Sequence, residues 1–272
     1  EPLSAALNNP VVVENRPGAN GSIATGAVKR AAPDGYTVLL QYSGYHVITP
    51  AIVSNLGWDP IEDFVAVANV ISAPQLVVVR DGLPVKTLPE LIAYAKANPG
   101  KLSYASSGNG SLQHVTGELL KQLAGIEMTH VPYKGTGPAI NDLIGGSVDL
   151  TFGTPPPFMG HIESGRLRPL AVTGPQRLPS LPDTPTAAEA GLPKLDASSW
   201  FGMFAPRDTP PAVVERLTSE IARIVRDPEF VKKAELQGAT ASYMDPKEFA
   251  SFTKAELDRW ATVVKSAGIK AD

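Results

Sequence analysis

Leu102-Ser103-Tyr104-Ala105-Ser106-Ser107-Gly108-Asn109-Gly110-Ser111-Leu112 is the stretch on which the reading of the fold turns. Leu102 to Ala105 is a short apolar run set off from what precedes it by Pro99-Gly100, the pattern of a buried strand. Directly after the glycine and serine loop, Leu112, Val115, Leu119 and Leu123 recur at the spacing of one helical face. A strand handed to a helix through a short loop is the unit of an α/β protein, in which covering helices join parallel strands.

The alternation extends both ways. Upstream, Val11-Val12-Val13 reads as a short buried strand, and Ser22 to Ala32 as a helix stopped by Pro33-Asp34-Gly35. Tyr36 to Gln41 is a further strand, followed by Phe64 to Ile71 and Gln75 to Arg80, parted by Pro74. Thr87-Leu88-Pro89-Glu90 opens a helix with a threonine cap, a proline in the first turn and a glutamate three residues on. Downstream, Glu127 to Val131, Val148 to Phe152 and Leu167 to Thr173 predict strands, with helices around 137–145 and 156–164. Ser198 to Ala205 predicts one more strand. Val214, Leu217, Ile221 and Ile224 mark an amphipathic helix, and Phe249, Phe252, Leu257, Trp260 and Val264 a long terminal one. The expectation is mostly parallel sheets with helices on both faces.

Composition bounds the function. The chain has 272 residues, room for two modest domains or one large α/β unit. A net charge of −3 argues against a nucleic-acid or anionic-membrane surface, so any anion must be caught locally. Cysteine is absent, which excludes thiolate catalysis, disulfides and cysteine-ligated metal, and fits an oxidising compartment. There is no run of about 18 apolar residues to span a membrane. No signal peptide is visible, and Glu1 to Leu7 reads like the tail of a helix already under way, so the expectation is that the natural N-terminus lies upstream.

Gly18-Ala19-Asn20-Gly21-Ser22-Ile23 echoes Gly108-Asn109-Gly110-Ser111-Leu112, each between a predicted strand and a predicted helix. One reading is turn chemistry, glycine for the turn and serine for the cap. The other is an anion site, because a helix N-terminus has unpaired N–H groups and glycine admits close approach. Ser43-Gly44-Tyr45, Ser106 to Ser111, Tyr133-Lys134-Gly135-Thr136 and Gly153-Thr154 all follow predicted strands, where ligands of open parallel sheets bind. Within this set Tyr133 offers a flat contact surface and the Gly135 N–H a donor. His114, in the first turn after the loop, either points into the site or sits at the surface. These segments are rich in hydroxyls and backbone donors and poor in acids and bases, the profile of a binding cleft.

Catalytic patterns are missing. There is no Gly-x-Ser-x-Gly elbow, no phosphate-binding Gly-Lys-Ser or Gly-Lys-Thr, and Gln113 stands where a dinucleotide fingerprint needs glycine. His46, His114, His130 and His161 form no metal-ligand spacing and read as structural or solvated. A hydrolase using Ser106 or Ser107 with His114 stays open as the rival, to be separated by turnover. An interaction module built on the terminal helix is the third class.

Several segments are together specific. Val11-Val12-Val13-Glu14-Asn15-Arg16-Pro17-Gly18-Ala19, Ala32-Pro33-Asp34-Gly35-Tyr36, Tyr104-Ala105-Ser106-Ser107-Gly108 and Val131-Pro132-Tyr133-Lys134-Gly135 occur in order. Gly145-Gly146-Ser147-Val148-Asp149-Leu150, Glu189-Ala190-Gly191-Leu192-Pro193, Trp200-Phe201-Gly202 and Ala267-Gly268-Ile269-Lys270 follow. Along essentially its whole length the chain resembles the Bug receptors, the periplasmic solute-binding proteins of tripartite tricarboxylate transporters. The resemblance implies a two-lobe Venus-flytrap protein, type II-like, each lobe a mixed, mostly parallel sheet flanked by helices. It implies a small carboxylate in the interdomain cleft, no chemistry and no cofactor. It also implies a periplasmic monomer that serves membrane transporter subunits or, alternatively, a two-component sensor, without inserting in the membrane or binding nucleic acid. Carried onto this chain, Asn20, Gly21, Ser43 and Gly44 form one wall, and Ser106, Ser107, Asn109, Gly110, Ser111, Gly135 and Thr154 the other.

The expected lobes are residues 1–73 with 201–272, and 74–200, with crossings near Ala73-Pro74 and Ser199-Trp200. Two departures stand out. The family's opening strand and Pro-Gly-Gly-type loop are not seen, so about 30 residues are expected ahead of Glu1. Gly153 stands where relatives often place an aspartate. An amino-acid ligand needs a partner for its ammonium, so a plain carboxylate, aliphatic or aromatic, is expected over aspartate or glutamate, with Tyr45, His46 and Tyr133 facing its middle.

Overall fold

The computed structural model describes residues 1–16 and 18–270, the Asn20 side chain left aside. The chain divides into two compact units. The first comprises Glu1–Ser72, Trp200–Glu235 and Ala239–Thr262; the second comprises Ala73–Ser199, Leu236–Gly238 and the stretch from Val263.

In the first unit the elements are α1 (Pro2–Leu7), α2 (Ser22–Lys29), β1 (Leu39–Tyr42), α3 (Thr49–Ile52) and β2 (Phe64–Ala73). The second unit contributes β3 (Leu76–Arg80), α4 (Leu88–Ala97), β4 (Ser103–Ser106), α5 (Leu112–Ala124), β5 (Thr129–Pro132), α6 (Thr136–Gly145), β6 (Leu150–Gly153), α7 (Met159–Glu163) and β7 (Leu167–Val172). The chain then continues with β8 (Ser199–Pro206), α8 (Pro211–Val225), α9 (Pro228–Leu236), β9 (Thr240–Met244) and α10 (Pro246–Ala267).

The first unit's sheet has the order β1-β8-β2-β9. Leu39 to Tyr42 pair antiparallel with Phe204 to Phe201, and β2 pairs antiparallel with β9 across an irregularity between Asn69 and Ile71. On one face Val67, Ala68 and Ala205 meet Val214, Leu217, Ile221 and Val225 of α8, with Leu3 and Leu7 of α1 against them. Aromatic rings fill another part of the core. His46 lies flat on Phe204 at 4.1 Å, and Trp200 meets Phe249 edge-on at 5.2 Å.

The second unit's sheet has the order β5-β4-β6-β3-β7. Strand β4 runs parallel to β5 and β6, and β3 runs antiparallel to β6 and β7. Leu76 to Val79 are wholly buried, as a central strand covered on both faces requires. Helix α4 starts as its sequence dictates: the Thr87 hydroxyl accepts the Glu90 amide at 3.2 Å, and the Glu90 carboxylate accepts the Lys86 amide at 2.6 Å.

The class is α/β with two mixed sheets flanked by helices. Antiparallel pairs are more prominent than strand–helix alternation implies, because β8 and β9 return to β1 and β2 from the far end of the chain. Val11-Val12-Val13 is not a strand: Val12 and Val13 are 85% and 80% exposed, and the Val11 amide is spent on the Ser4 hydroxyl. Three β-branched residues favour a pleated surface only where a neighbour offers one, and among the described residues none pairs with them. Strand β1 starts at Leu39, three residues later than the reading, with Tyr36 exposed.

Candidate functional site

Strands β4, β5 and β6 are parallel neighbours, so their carboxyl ends lie on one edge of the second sheet. The loops leaving that edge carry Ser107 to Ser111, Tyr133 to Gly135, and Thr154 onward. Gln113, in the first turn of α5, ties two of them and lies against the third. Its Oε1 accepts the Ser107 amide at 2.9 Å, its Nε2 donates to the Thr136 hydroxyl at 3.2 Å, and a Cβ placed on Gly153 would lie 3.4 Å from the same nitrogen. The Gly135 amide donates to the Ser107 carbonyl at 3.3 Å, fixing the start of α6 beside the start of α5.

The sequence-predicted residues Ser107, Gly135, Thr136 and Gly153 therefore come together, and Tyr133 stands beside them with its amide on the Ser106 carbonyl at 3.0 Å. Thr154 continues directly from Gly153. The Ser111 hydroxyl caps α5 by accepting the His114 amide at 3.2 Å. The Leu112 and Gln113 amides, like Thr136 and Gly137 of α6, are first-turn groups with no carbonyl one turn back. The hydroxyls of Ser107 and Thr154 have no hydrogen-bond partner among the described residues. Two positive helix ends and several donors thus surround one small region, which suits an anion of carboxylate size. Gly110 has φ +71, a left-handed turn that a glycine makes without strain.

Several expected roles need correction. The Gly135 N–H is already bonded to Ser107 and is not a spare donor. Ser106 is buried; its hydroxyl accepts the Gly108 amide at 3.2 Å, lies 3.1 Å from the Gly108 carbonyl and sits 2.6 Å from His130 Nε2. It braces the loop from inside. His114 is neither at the surface nor in open space: it is buried, its Nδ1 accepts the Gly110 amide at 3.1 Å, and its ring stacks on His130 at 3.7 Å. The serine–histidine contact is Ser106 with His130, so the Ser106–His114 pairing a hydrolase would use is not formed.

Tyr133 is half-buried, and its hydroxyl donates to Asp142 at 2.7 Å. Burial, with help from that carboxylate, pushes the phenol up to about 12. Gly153 is buried, and a Cβ there would come within 2.7 Å of the Phe158 ring, so Phe158 fills the space an aspartate would need.

In the first unit Gly21 and Tyr45 meet. A Cβ on Gly21, where φ is +80, would lie 2.6 Å from the Tyr45 ring, which is itself edge-on to Tyr42 at 5.3 Å. The Asn20 side chain lies outside the described residues. Gly44 is buried at the head of a wide helical turn, Gly44–Ile48. The Ser43 hydroxyl accepts the Trp200 amide at 3.2 Å and is structural. His46 is a core residue, not a contact surface: it is wholly buried with its Nε2 3.0 Å from the Pro60 carbonyl, and burial lowers it to about 4, against the opposing pull of Pro60 and Asp59.

Among the described residues no group of three or more histidine, aspartate or glutamate side chains could hold a metal, and no helix is long and apolar enough to cross a membrane. The region offers hydroxyls, amides and two helix N-termini, and its serine–histidine contact, Ser106 with His130, is buried at Ser106 and braces the loop.

Comparison with known proteins agrees. The chain matches the Tripartite tricarboxylate transporter family receptor over residues 1–269 and belongs to that family. Protein BugT of Bordetella pertussis is 37% identical over 269 residues, 98% of this chain and 82% of that protein. An R. palustris protein solved with adipate is 37% identical, covers 99% of this chain and 90% of its own, and superposes with a TM-score of 0.86. MatC from Rhodopseudomonas palustris with bound malate is 32% identical over 97% of this chain and 90% of its own, with a TM-score of 0.79. The chain is thus a Bug-type receptor of the periplasmic binding-protein class, a family of solute-binding proteins and not of enzymes.

Three residues of the site were not singled out by sequence. Gln113 was visible as a polar side chain in the first turn after the loop, but its two partners lie on separate segments. His130 sits in a strand with no local sign of Ser106 or His114. Phe158 reads as an ordinary apolar residue until Gly153 is placed under it.

Proposed function

We propose that this chain is a periplasmic receptor that captures a small dicarboxylate and delivers it to the membrane subunits of a tripartite tricarboxylate transporter. The observation that carries the reading is the convergence of the α5 and α6 N-termini around the free hydroxyls of Ser107 and Thr154. One carboxylate is held there by Ser107, Ser111, Thr136, Thr154 and the first-turn amides, with Asn109 and Gly110 shaping the loop. The adipate and malate bound by the two R. palustris relatives support this class of ligand.

The ligand is a plain carboxylate and not an amino acid. The loops Ser106–Ser111, Tyr133–Thr136 and Gly153–Thr154 contain no acid, and Asp142 nearby is engaged by Tyr133. An ammonium there would be desolvated without a partner.

Calorimetric titration with succinate, adipate, malate, terephthalate, aspartate and glutamate tests the reading. One site per chain is expected, tightest for a plain carboxylate. Absence of saturable binding by all six refutes the receptor reading, and tightest binding by either amino acid refutes the ligand class.

A further inference from the structure

The loop between β4 and α5 is held from beneath by two imidazoles, His114 buried and His130 half-buried. His114 Nδ1 accepts the Gly110 amide at 3.1 Å. An amide can only donate, so this nitrogen carries no proton and the bond requires an unprotonated Nδ1. His130 lies parallel to it, with ring centroids 3.7 Å apart and planes 8° apart. His130 Nε2 is 2.6 Å from the Ser106 hydroxyl, and that hydroxyl accepts the Gly108 amide at 3.2 Å. Both glycines of the loop are thereby tied to one histidine pair, Gly110 directly and Gly108 through Ser106.

We propose that His114 and His130 are positioning residues for the ligand loop, and that the loop holds its anion-binding shape only while His114 Nδ1 is unprotonated, so that affinity falls in acid. The inference rests on the carboxylate-receptor reading above. Protonating His114 at Nδ1 turns the acceptor of the Gly110 bond into a donor facing a donor. A charge on either ring disfavours a second on the ring stacked against it. Gly110 must then move away from His114, and the loop with it from the first turn of α5.

The groups around the pair can be named by element. From β4, Tyr104 stacks on His130 at 5.0 Å, and its hydroxyl donates to Glu118 at 2.7 Å. From α5, Glu118 is the nearby carboxylate that favours an imidazolium, but it is shared between Tyr104 and Lys121, the latter at 2.8 Å. Burial and the Glu118 carboxylate push the Tyr104 phenol up, so it stays neutral. Strand β5 brings His130 itself, and β6, Leu150–Gly153, contributes no titratable group. On α6, Asp142 is taken by Tyr133. A ligand carboxylate on the loop favours the imidazolium and so raises the pH at which it forms, a pull that opposes the acid loss of affinity and reduces its size.

The test has two readouts. The first follows Gly110 amide exchange, corrected for intrinsic rate, in the ligand-free protein between about pH 8 and about pH 5, the window in which imidazoles titrate. Protection is expected at the upper end and lost at the lower. The second is the adipate Kd over the same range. An acid loss of about tenfold or more is expected, the scale of one hydrogen bond to a charged group. His114→Asn keeps an acceptor near Nδ1 but cannot be protonated, and its Kd should stay within about twofold across the range. Gly110 protection that does not change with pH overturns the proposal, even if the variant fails to fold. An acid loss in His114→Asn equal to that of the parent overturns it too. Absence of adipate binding at pH 8 in the parent counts against the receptor reading instead, and the exchange experiment alone then decides the tether.

Discussion

Gln113 is the residue whose removal tests the site most directly. Gln113→Leu deletes two hydrogen bonds at nearly constant volume: the one Oε1 accepts from the Ser107 amide at 2.9 Å and the one Nε2 donates to Thr136 at 3.2 Å. A neutral hydrogen bond contributes about 1 kcal/mol net, and a half-buried amide left without a partner adds about 1 kcal/mol or more. The ordered arrangement of the three loops should therefore lose about 2–3 kcal/mol. If the ligand binds only that arrangement, the loss appears in affinity as roughly 30–150-fold. Gln113→Glu separates geometry from charge. It keeps the acceptor for Ser107, loses the donor to Thr136 and sets a carboxylate beside the proposed carboxylate site, so its loss should be larger and should shrink as salt is raised. Adipate titrations of both variants at low and high salt, with thermal melting as the folding control, check this. Unchanged adipate affinity in a well-folded Gln113→Leu protein would show that the α5 and α6 N-termini do not form the site.

Other positions give separable outcomes. Ser107→Ala should weaken adipate about 10–150-fold with melting unchanged, whereas Ser106→Ala should lower stability by about 1–3 kcal/mol by stripping the Gly108 amide and His130 of their partner; equal binding and melting effects in the two would contradict the division of roles. Gly153→Ala forces a Cβ within 2.7 Å of the Phe158 ring, and overpacking of this kind costs about 1–3 kcal/mol, measurable by urea unfolding. His46 is depressed to about 4 in the fold against about 6.5 in an unfolded chain, so the unfolded state takes up the proton first as pH falls. That contribution to stability, about 3 kcal/mol, is intact above about pH 6.5 and is lost progressively toward pH 4. Urea unfolding at pH 7 and pH 4 should show a smaller difference in His46→Gln than in the parent, and an identical pH slope would refute it.

The second unit was legible in the sequence for a physical reason: apart from the half-exposed β5, its strands are short, largely buried runs set between helices whose apolar faces repeat. Thr87 and Glu90 announced the start of α4, and Ser111 that of α5. The first unit was less legible. Strand β9, Thr240–Met244, is only half-buried, with no more than Ala241 and Tyr243 set against the core, and α9 buries only Ala234. Val11-Val12-Val13 misled because a propensity was read without a partner to satisfy it. At the site, the loops were found from glycine, serine and threonine placement, since turn chemistry and anion binding ask for the same residues. What those hydroxyls bond to is not local information. Ser43 is consumed by Trp200, and Ser106 by His130, across 157 and 24 positions of sequence.

The sheet order has a consequence for how the chain acquires its structure. In the first unit Ser43 must find Trp200, and Asn69 must find Ser242, 173 positions on. The second unit closes within a shorter span; its Gln75 to Thr173 bond bridges 98 positions. Loop closure is costlier and slower for the distant pairs. A chain emerging N-terminus first therefore holds β1 and β2 without their partner strands until β8 and β9 arrive, while β3 to β7 are already complete. During that interval the apolar residues of β2 are the exposed, aggregation-prone surface of the nascent protein. Pulse-labelled amide exchange during refolding should find β3 and β6 protected before β1 and β8, and simultaneous protection would show that the two units fold as one.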